Sequence, residues 1–122
     1  MAEELKNREF SDEEFKRIFF EESKRHSVIY GSIKSLTYFV QTSSAKTCQG
    51  LMKEIEPACL KLQELASGTS DIMNGKTIMT VKAVCAIYQN MVNKVASGTE
   101  ESLGLSLIKE KIQEQSNILA SH

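Results

Sequence analysis

The sequence predicts an all-α fold, a single bundle of five to six helices joined by short connections. Apolar residues recur every three or four positions along most of the chain, and strand-like alternation between turn signals is absent. One proline and six glycines interrupt the 122 residues, a length that suits one domain with one core. We expect residues 1–10 to form a flexible N-terminus and residues 11–122 to form the helical bundle domain.

The first helix is predicted to begin at Ser11 and to run to about Lys24. The string "SDEE" places Glu14 at the capping-box position relative to Ser11, and acidic residues favour the N-terminal end of a helix dipole. The apolar face of this helix consists of Phe15, Ile18 and Phe19.

A second helix is predicted from about Val28 to Val40, where the polar string "QTSS" (residues 41–44) ends it. Its apolar residues keep the helical period, and three aromatic residues add bulk. The periodic positions are Ile29, Ile33, Leu36 and Val40, and the aromatic ones are Tyr30, Tyr38 and Phe39.

The third helix is predicted to be capped by Ser43 or Ser44, and "ASGT" (residues 66–69) is expected to end it, with Gly68 as the C-terminal cap. Pro57 lacks a backbone N–H and its ring crowds the preceding turn, which predicts a kink or a break near Glu56. The apolar stripe of this helix is Cys48, Leu51, Met52, Ile55, Cys59 and Leu62.

Gly50, in the string "KTCQGL", stands in the first turns of this third helix. A glycine inside a helix costs about 0.5–1 kcal/mol relative to alanine. We therefore expect Gly50 to be a close packing point against the helix from Val28 to Val40, and Gly50→Leu to destabilise the fold.

The fourth helix is the most apolar, and we expect it to be the central one, with a short helical turn at residues 70–73 before it. A second "ASGT" (residues 96–99) ends it, and Thr99 caps the fifth helix. The fourth stripe is Ile78, Val81, Cys85, Tyr88, Val92 and Val95. The fifth is Leu103, Leu107, either Ile108 or Lys111, then Ile112, Ile118 and Leu119.

Composition excludes several functions. The net charge of −1 gives no basic field for nucleic acid or for an anionic membrane surface, and no phosphate-binding glycine motif is present. Three cysteines without a C-x-x-C pair and two distant histidines predict no metal site, no cofactor and buried structural thiols. We expect no catalytic residue, and a cytoplasmic protein, since neither a signal peptide nor a membrane span is apparent.

His26 offers one enzymatic alternative, a phosphotransfer site. Such bundles resemble "H-x-x-K-G" on an exposed helix, whereas "HSVIYG" places Ile29 where the lysine should be. That lysine would stabilise phosphoryl charge, so a polar residue between two helices is the preferred interpretation.

The segment "IYGSIKSLTYFVQTSSAKTCQGL" (residues 29–51) resembles the start of the alpha subunit of eukaryotic translation initiation factor 2B. That family has a helix of the form "A-I-x-x-L-x-x-F-L", a polar loop, and "E-T-x-x-G-L" at the opening of the next helix. The matching residues are Ile33, Leu36, Phe39, Val40, Thr47, Gln49, Gly50 and Leu51, with Lys46 in place of the acid. Residues 68–90 are loosely similar to a later helix, without its phenylalanines and arginine.

The resemblance implies the N-terminal helical domain of a regulatory, non-catalytic subunit. In that family a Rossmann-like domain follows, and the helical domains sense the phosphorylated alpha subunit of initiation factor 2. The partners implied are that subunit and the other exchange-factor subunits. By position, the partner-binding residues would be Thr42, Ser43, Ser44, Lys46 and Thr47, for which helix capping is the competing interpretation.

A second hypothesis is a stand-alone helical adaptor or an oligomeric scaffold unrelated to translation.

If the resemblance holds and the Rossmann-like domain that follows in that family is missing here, we expect the last helix to expose an apolar patch that favours self-association. The candidates for this patch are Leu103, Leu105, Leu107, Ile108 and Leu119.

Overall fold

The computed structural model describes residues 10–67, 75–98 and 105–121, which form five α-helices and no strand. The all-α prediction is confirmed within these ranges. The helices are α1 (Asp12–Arg25), α2 (Val28–Thr42), α3 (Cys48–Ser67), α4 (Gly75–Gly98) and α5 (Leu105–Ala120). The predicted turn at residues 70–73 and the predicted caps Gly68 and Thr99 lie outside the described residues.

Helices α1 and α2 form an antiparallel hairpin with a two-residue connection. The predicted cap Ser11 is confirmed, because its hydroxyl accepts the Glu14 N–H at 3.4 Å. The backbone N–H of Ser11 donates to the Tyr38 hydroxyl at 3.0 Å, which joins the start of α1 to the far end of α2. At the turn, His26 closes α1 and Ser27 caps α2.

The cap of α3 is Thr47, so the prediction of Ser43 or Ser44 is wrong. The Thr47 hydroxyl accepts the Gly50 N–H at 3.0 Å, and its carbonyl accepts the Leu51 N–H at 3.0 Å. Ser43 instead closes α2 by donating its backbone N–H to the Val40 carbonyl. Residues 43–47 are therefore all used to turn the chain from α2 into α3.

Helix α3 runs without a break through Pro57, so the predicted break near Glu56 does not occur. Pro57 lies on the exposed face, while Ile55, Ala58 and Leu62 on the other face are buried. Burial of this stripe on both sides of the proline holds the helix together despite the missing hydrogen bond.

Helix α2, not α4, is the central helix of the bundle. It packs against each of the other four helices, whereas α4 leaves Met79 and Ile87 72% and 54% exposed. The prediction that the fourth helix is central was wrong, because the total apolarity of a helix does not decide whether other helices surround it. A surrounded helix needs small side chains on several faces, and α2 supplies Gly31, Ser32 and Ser35, all buried.

The buried hydroxyls of α2 are satisfied by its own backbone. Ser32 donates to the Val28 carbonyl at 2.8 Å, and Ser35 donates to the Gly31 carbonyl at 3.0 Å. A hydroxyl that bonds the carbonyl one turn back does not carry the cost of an unpaired buried polar group. Small polar residues therefore give α2 a thin profile without loss of hydrogen bonding.

A chain of hydroxyls connects α2, α4 and α5 in the core. Ser116 donates to the Ile112 carbonyl at 2.6 Å, and Thr37 donates to the Ile33 carbonyl at 2.7 Å. The Tyr88 hydroxyl lies between these two side chains, 3.1 Å from Ser116 Oγ and 3.1 Å from Thr37 Oγ1. Tyr88 is fully buried, and burial raises its pKa to about 12. The phenol therefore stays neutral at physiological pH.

Helix α5 faces the core with Ile108, Ile112 and Ser116. The open choice at the start of its stripe is resolved in favour of Ile108, since Lys111 is only half-buried. Ile118 is 50% exposed and lies outside the core face, so its assignment to the stripe is wrong.

The last helix was also predicted to expose an apolar patch of five residues. Of these, Ile108 is buried and Leu103 lies outside the described residues. The other three are half-buried: Leu105, Leu107 and Leu119.

The close packing point between helices is Gly31, not Gly50. A Cβ on Gly31 would clash with Ser23 Oγ and lie 2.7 Å from the Phe19 carbonyl oxygen and 2.9 Å from the Ser23 nitrogen. A Cβ on Gly50 would meet only Thr47 Oγ1 at 3.0 Å and Ala45 Cβ at 3.7 Å, both from the loop before its own helix. The expected contact of Gly50 with α2 is therefore absent.

Ser23 is the residue of α1 that faces Gly31 where the two helices cross. Among the described residues, its hydroxyl is the buried side-chain polar atom for which no hydrogen-bond partner is present. An unpaired buried hydroxyl costs about 1–3 kcal/mol. The close approach of α1 to α2 is thus obtained at the expense of one hydrogen bond.

We predict that Gly31→Ala lowers the free energy of unfolding by about 1–3 kcal/mol, because two of the atoms it meets belong to the backbone and cannot move away. Gly50→Ala is the matched control, and its effect should stay within about 1 kcal/mol, since alanine favours the helix. Urea denaturation of both variants measures the difference.

The double variant Ser23→Ala/Gly31→Ala should recover only part of the loss, because the Phe19 carbonyl and the Ser23 nitrogen remain in place. A larger loss of stability for Gly50→Ala than for Gly31→Ala would contradict this assignment and restore Gly50 as the packing point.

None of the three cysteines, all of which are described, forms a disulfide. Cys59 and Cys85 lie on facing positions of α3 and α4, where the Cys85 thiol is 3.8 Å from the Cys59 carbonyl oxygen and each residue is 3% exposed. A hydrogen bond from the Cys59 thiol lowers the pKa of Cys85, and burial opposes that shift. Cys48 is only half-buried, so the prediction of buried thiols is confirmed for Cys59 and Cys85 and not for Cys48.

We predict that one thiol, Cys48, reacts quickly with an aromatic disulfide reagent in the native protein, and that Cys59 and Cys85 react only on unfolding. Cys48→Ser should remove the fast phase and leave two thiols that appear in denaturant. A fast phase that survives in Cys48→Ser would mean that the contact between α3 and α4 opens in the native state.

Candidate interaction surface

The five predicted partner-binding residues lie at the end of α2 and in the connection to α3, where they divide into two groups. Thr42, Ser43 and Thr47 use their hydroxyls to hold the backbone. Thr42 donates to the Tyr38 carbonyl at 2.8 Å, and Thr47 caps α3. Helix capping, the competing interpretation from the sequence, therefore accounts for much of this string.

Ser43 is the most connected residue of the loop. Its hydroxyl donates to Glu54 Oε2 at 2.5 Å and accepts the Ala45 N–H at 3.1 Å. These bonds fasten the loop to the second turn of α3. The loop conformation is thus set before any partner binds.

Ser44 and Lys46 form the second group, and both are exposed. No ion pair among the described residues includes Lys46. These two side chains are therefore the ones in the predicted set that a partner can reach without breaking a contact of the fold.

A groove of about 500 Å³ opens beside this loop, and three of the five predicted residues line it. Its apolar part is formed by Phe10, Phe39 and Pro57, and its polar part by Thr42, Ser43, Ser44 and Glu54. Lys46 and Thr47 stand outside this lining. The groove thus combines an aromatic wall, three hydroxyls and one carboxylate.

The aromatic wall depends on Phe10, which the sequence assigned to the flexible N-terminus. Phe10 is half-buried, and its ring centroid lies 5.3 Å from that of Phe39 and 5.8 Å from those of Tyr38 and Phe15. Aromatic contacts of this kind stabilise the position of the Phe10 ring. Residues 1–9 lie outside the described residues.

Lys61 of α3 also contacts Phe10. It pairs with Asp12 at the start of α1, and its ammonium lies 5.7 Å from the centroid of the Phe10 ring. These contacts join α3 to the start of α1 beside Phe10.

Lys109 is a site residue that the sequence did not predict, and the same holds for four residues of the groove lining: Phe10, Phe39, Glu54 and Pro57. The Lys109 ammonium donates to the Ser43 carbonyl at 3.0 Å, and its own carbonyl accepts from the Gln41 side-chain amide at 3.0 Å. A cation at the C-terminal end of a helix is favourable, so Lys109 closes α2 and holds the loop from α5. Burial lowers its pKa, and the charge of Glu54 opposes that shift.

No local signal identifies Lys109, because it is 66 residues from Ser43 in the chain. Its immediate neighbour Ile108 is buried, so the pattern of the fifth helix marks this turn only as part of an apolar stripe. Only the packing of α5 against the end of α2 brings the lysine to the loop.

The chemistry of the groove favours binding. Among the described residues that line it, Ser43 and Glu54 form the one pair of a nucleophile and a base, and none is a histidine. Among the described residues, no group of three or more His, Cys, Asp or Glu side chains is placed to hold a metal ion. The aromatic wall suits an apolar side chain, and the carboxylate suits a donor beside it.

His26, the phosphotransfer alternative, closes α1. Its ring centroid is 4.2 Å from that of Tyr30, and Nε2 lies 3.7 Å from the Glu22 carboxylate. Neither of these contacts is with a lysine, and a carboxylate beside the imidazole would repel a phosphoryl group.

None of the helices in the described ranges combines the length and the apolarity needed to cross a membrane. Comparison of the chain with protein-family models, curated proteins and solved structures returned no match.

Proposed function

We propose that this chain is a non-catalytic protein-interaction domain that binds a partner at the groove beside residues 43–47. The observation that carries the proposal is the groove itself, where an aromatic wall meets a loop held by Ser43 and Lys109. A preformed apolar groove with a few fixed polar groups is a common design for recognition.

The resemblance of residues 29–51 supports a more specific form of the proposal: a domain of a translation-initiation regulator that acts in the cytoplasm. Its partner is then the alpha subunit of initiation factor 2 in the phosphorylated state, beside the other exchange-factor subunits. The resembling segment contains the loop and most of the groove lining, including Phe39, Thr42, Ser43 and Ser44.

Recognition of a phosphorylated partner would use two adjoining parts of this surface. Glu54 places a negative charge in the groove, so the phosphate is excluded from the groove and an apolar side chain of the partner enters it. Lys46, exposed on the loop, then provides the positive charge that faces the phosphate. The groove thus supplies affinity and Lys46 supplies the preference for the phosphorylated form.

We predict that Lys46→Gln weakens binding of the phosphorylated partner by about five-fold and leaves the unphosphorylated form unchanged, since an exposed charge pair contributes up to about 1 kcal/mol. Lys53→Gln, at an exposed position further along α3, is the matched control and should change neither affinity. Calorimetric titration with both forms of the initiation-factor subunit measures this.

A second variant tests the groove apart from the charge. Ser44→Phe places a large side chain at the groove rim, where the residue is exposed, and should weaken both forms of the partner by more than about ten-fold without lowering the stability of the fold. Unchanged affinity in Ser44→Phe would remove the groove from the interface.

A wild-type chain that binds the initiation-factor subunit in neither state would contradict the translation assignment. The alternative function, a stand-alone helical adaptor or oligomeric scaffold, would then be preferred. The exposed apolar residues of α4 are the observation in its favour, since Met79 and Ile87 contribute to no part of the loop groove.

A further inference from the structure

A second groove, of about 590 Å³, lies between α4 and α5 and shares no residue with the loop groove. Its apolar lining comes from both helices. Ile87 and Ile118 are 54% and 50% exposed, although each is a large aliphatic residue. Among the described residues, the apolar lining consists of Ile87, Met91, Val95, Ile118 and Leu119.

Charged side chains of both signs stand in the same lining. Lys94 belongs to α4, and Lys111 and Glu114 belong to α5. None of the ion pairs found among the described residues includes any of these three. The groove therefore presents apolar surface beside cations and an anion that the fold itself leaves unpaired.

This combination suits an interface between two identical copies. In a two-fold interface the same patch lies on both sides, so each charge must find its opposite within that patch. A strongly acidic or strongly basic partner would leave either Glu114 or the two lysines facing a like charge. Charge complementarity thus favours a second copy of this chain.

The segment preceding the described residues is a poor occupant by comparison. Residues 1–9 read "MAEELKNRE", in which Leu5 is the one branched aliphatic residue and five residues are charged. Such a segment cannot cover a groove with five apolar residues in its lining.

We propose that the groove between α4 and α5 is a homodimer interface, in which Ile118 of each copy enters the groove of the other. Glu114 of one copy then faces Lys94 and Lys111 of the other copy. Two helices from each copy pack side by side, which gives a four-helix interface of a kind that helical proteins commonly form.

Sedimentation equilibrium over a wide range of protein concentration tests the proposal. The wild-type chain should show a monomer–dimer equilibrium, and Ile118→Glu should raise the dimer dissociation constant by more than about ten-fold, because it places a charge in an apolar contact. Leu60→Glu is the matched control, since Leu60 is 56% exposed on α3 and lies outside this groove.

A charge exchange identifies a second copy as the occupant. Glu114→Lys alone and Lys94→Glu/Lys111→Glu alone should each weaken self-association, and an equimolar mixture of the two should restore it as a mixed dimer. All the substituted residues belong to the groove between α4 and α5, so binding at the loop groove should be unaffected in every variant.

A wild-type chain that remains monomeric at the highest concentration would overturn the proposal. It would also be overturned by a dimer that Ile118→Glu leaves intact, or by a charge-exchanged mixture that associates no better than its components. None of these results would bear on partner binding at residues 43–47, so the two proposals fail independently.

Discussion

The contact of α2 with all four neighbouring helices is the constraint on which the rest of the structure depends. A helix in that position has no solvent-facing stripe wide enough for ordinary amphipathic packing. Its small residues solve the problem: Gly31 admits α1, and Ser32 and Ser35 return their hydrogen bonds to the backbone of α2. The cost is concentrated at Ser23, whose hydroxyl is left without a partner beside Gly31.

The candidate interaction surface follows from the same arrangement, because it is built where α2 ends. Lys109 of α5 reaches the Ser43 carbonyl, and Phe10 from the start of α1 packs on Phe39. Elements distant in the chain thus converge on one loop, which is held in shape without a ligand. The dimer surface proposed between α4 and α5 shares no described lining residue with the groove beside that loop, so the two surfaces can be occupied together.

The features that local sequence could predict are those with local causes. The cap at Ser11 depends on residues within one turn and was predicted correctly. The core face of α3 was predicted in four of its six buried residues, and the two that were missed are small: Ala58 and Ala66. Gly31 and Gly50 look alike in sequence, and only the pairing of α1 with α2 decides which one is a packing point. Ser116 is buried although it is polar: its hydroxyl donates to the Ile112 carbonyl and lies 3.1 Å from the hydroxyl of Tyr88, 28 residues away. Hydrophobicity alone had favoured Ile118, which is 50% exposed.

Native-state hydrogen exchange tests the central position of α2 most directly. If the bundle depends on α2, its backbone amides from Ser32 to Val40 should be among the slowest and should exchange only with global unfolding. Amides of α4 near the exposed residues Met79 and Ile87 should exchange faster, through local opening. Slower exchange in α4 than in α2 would show that the most apolar helix is the organising one, and would contradict this account.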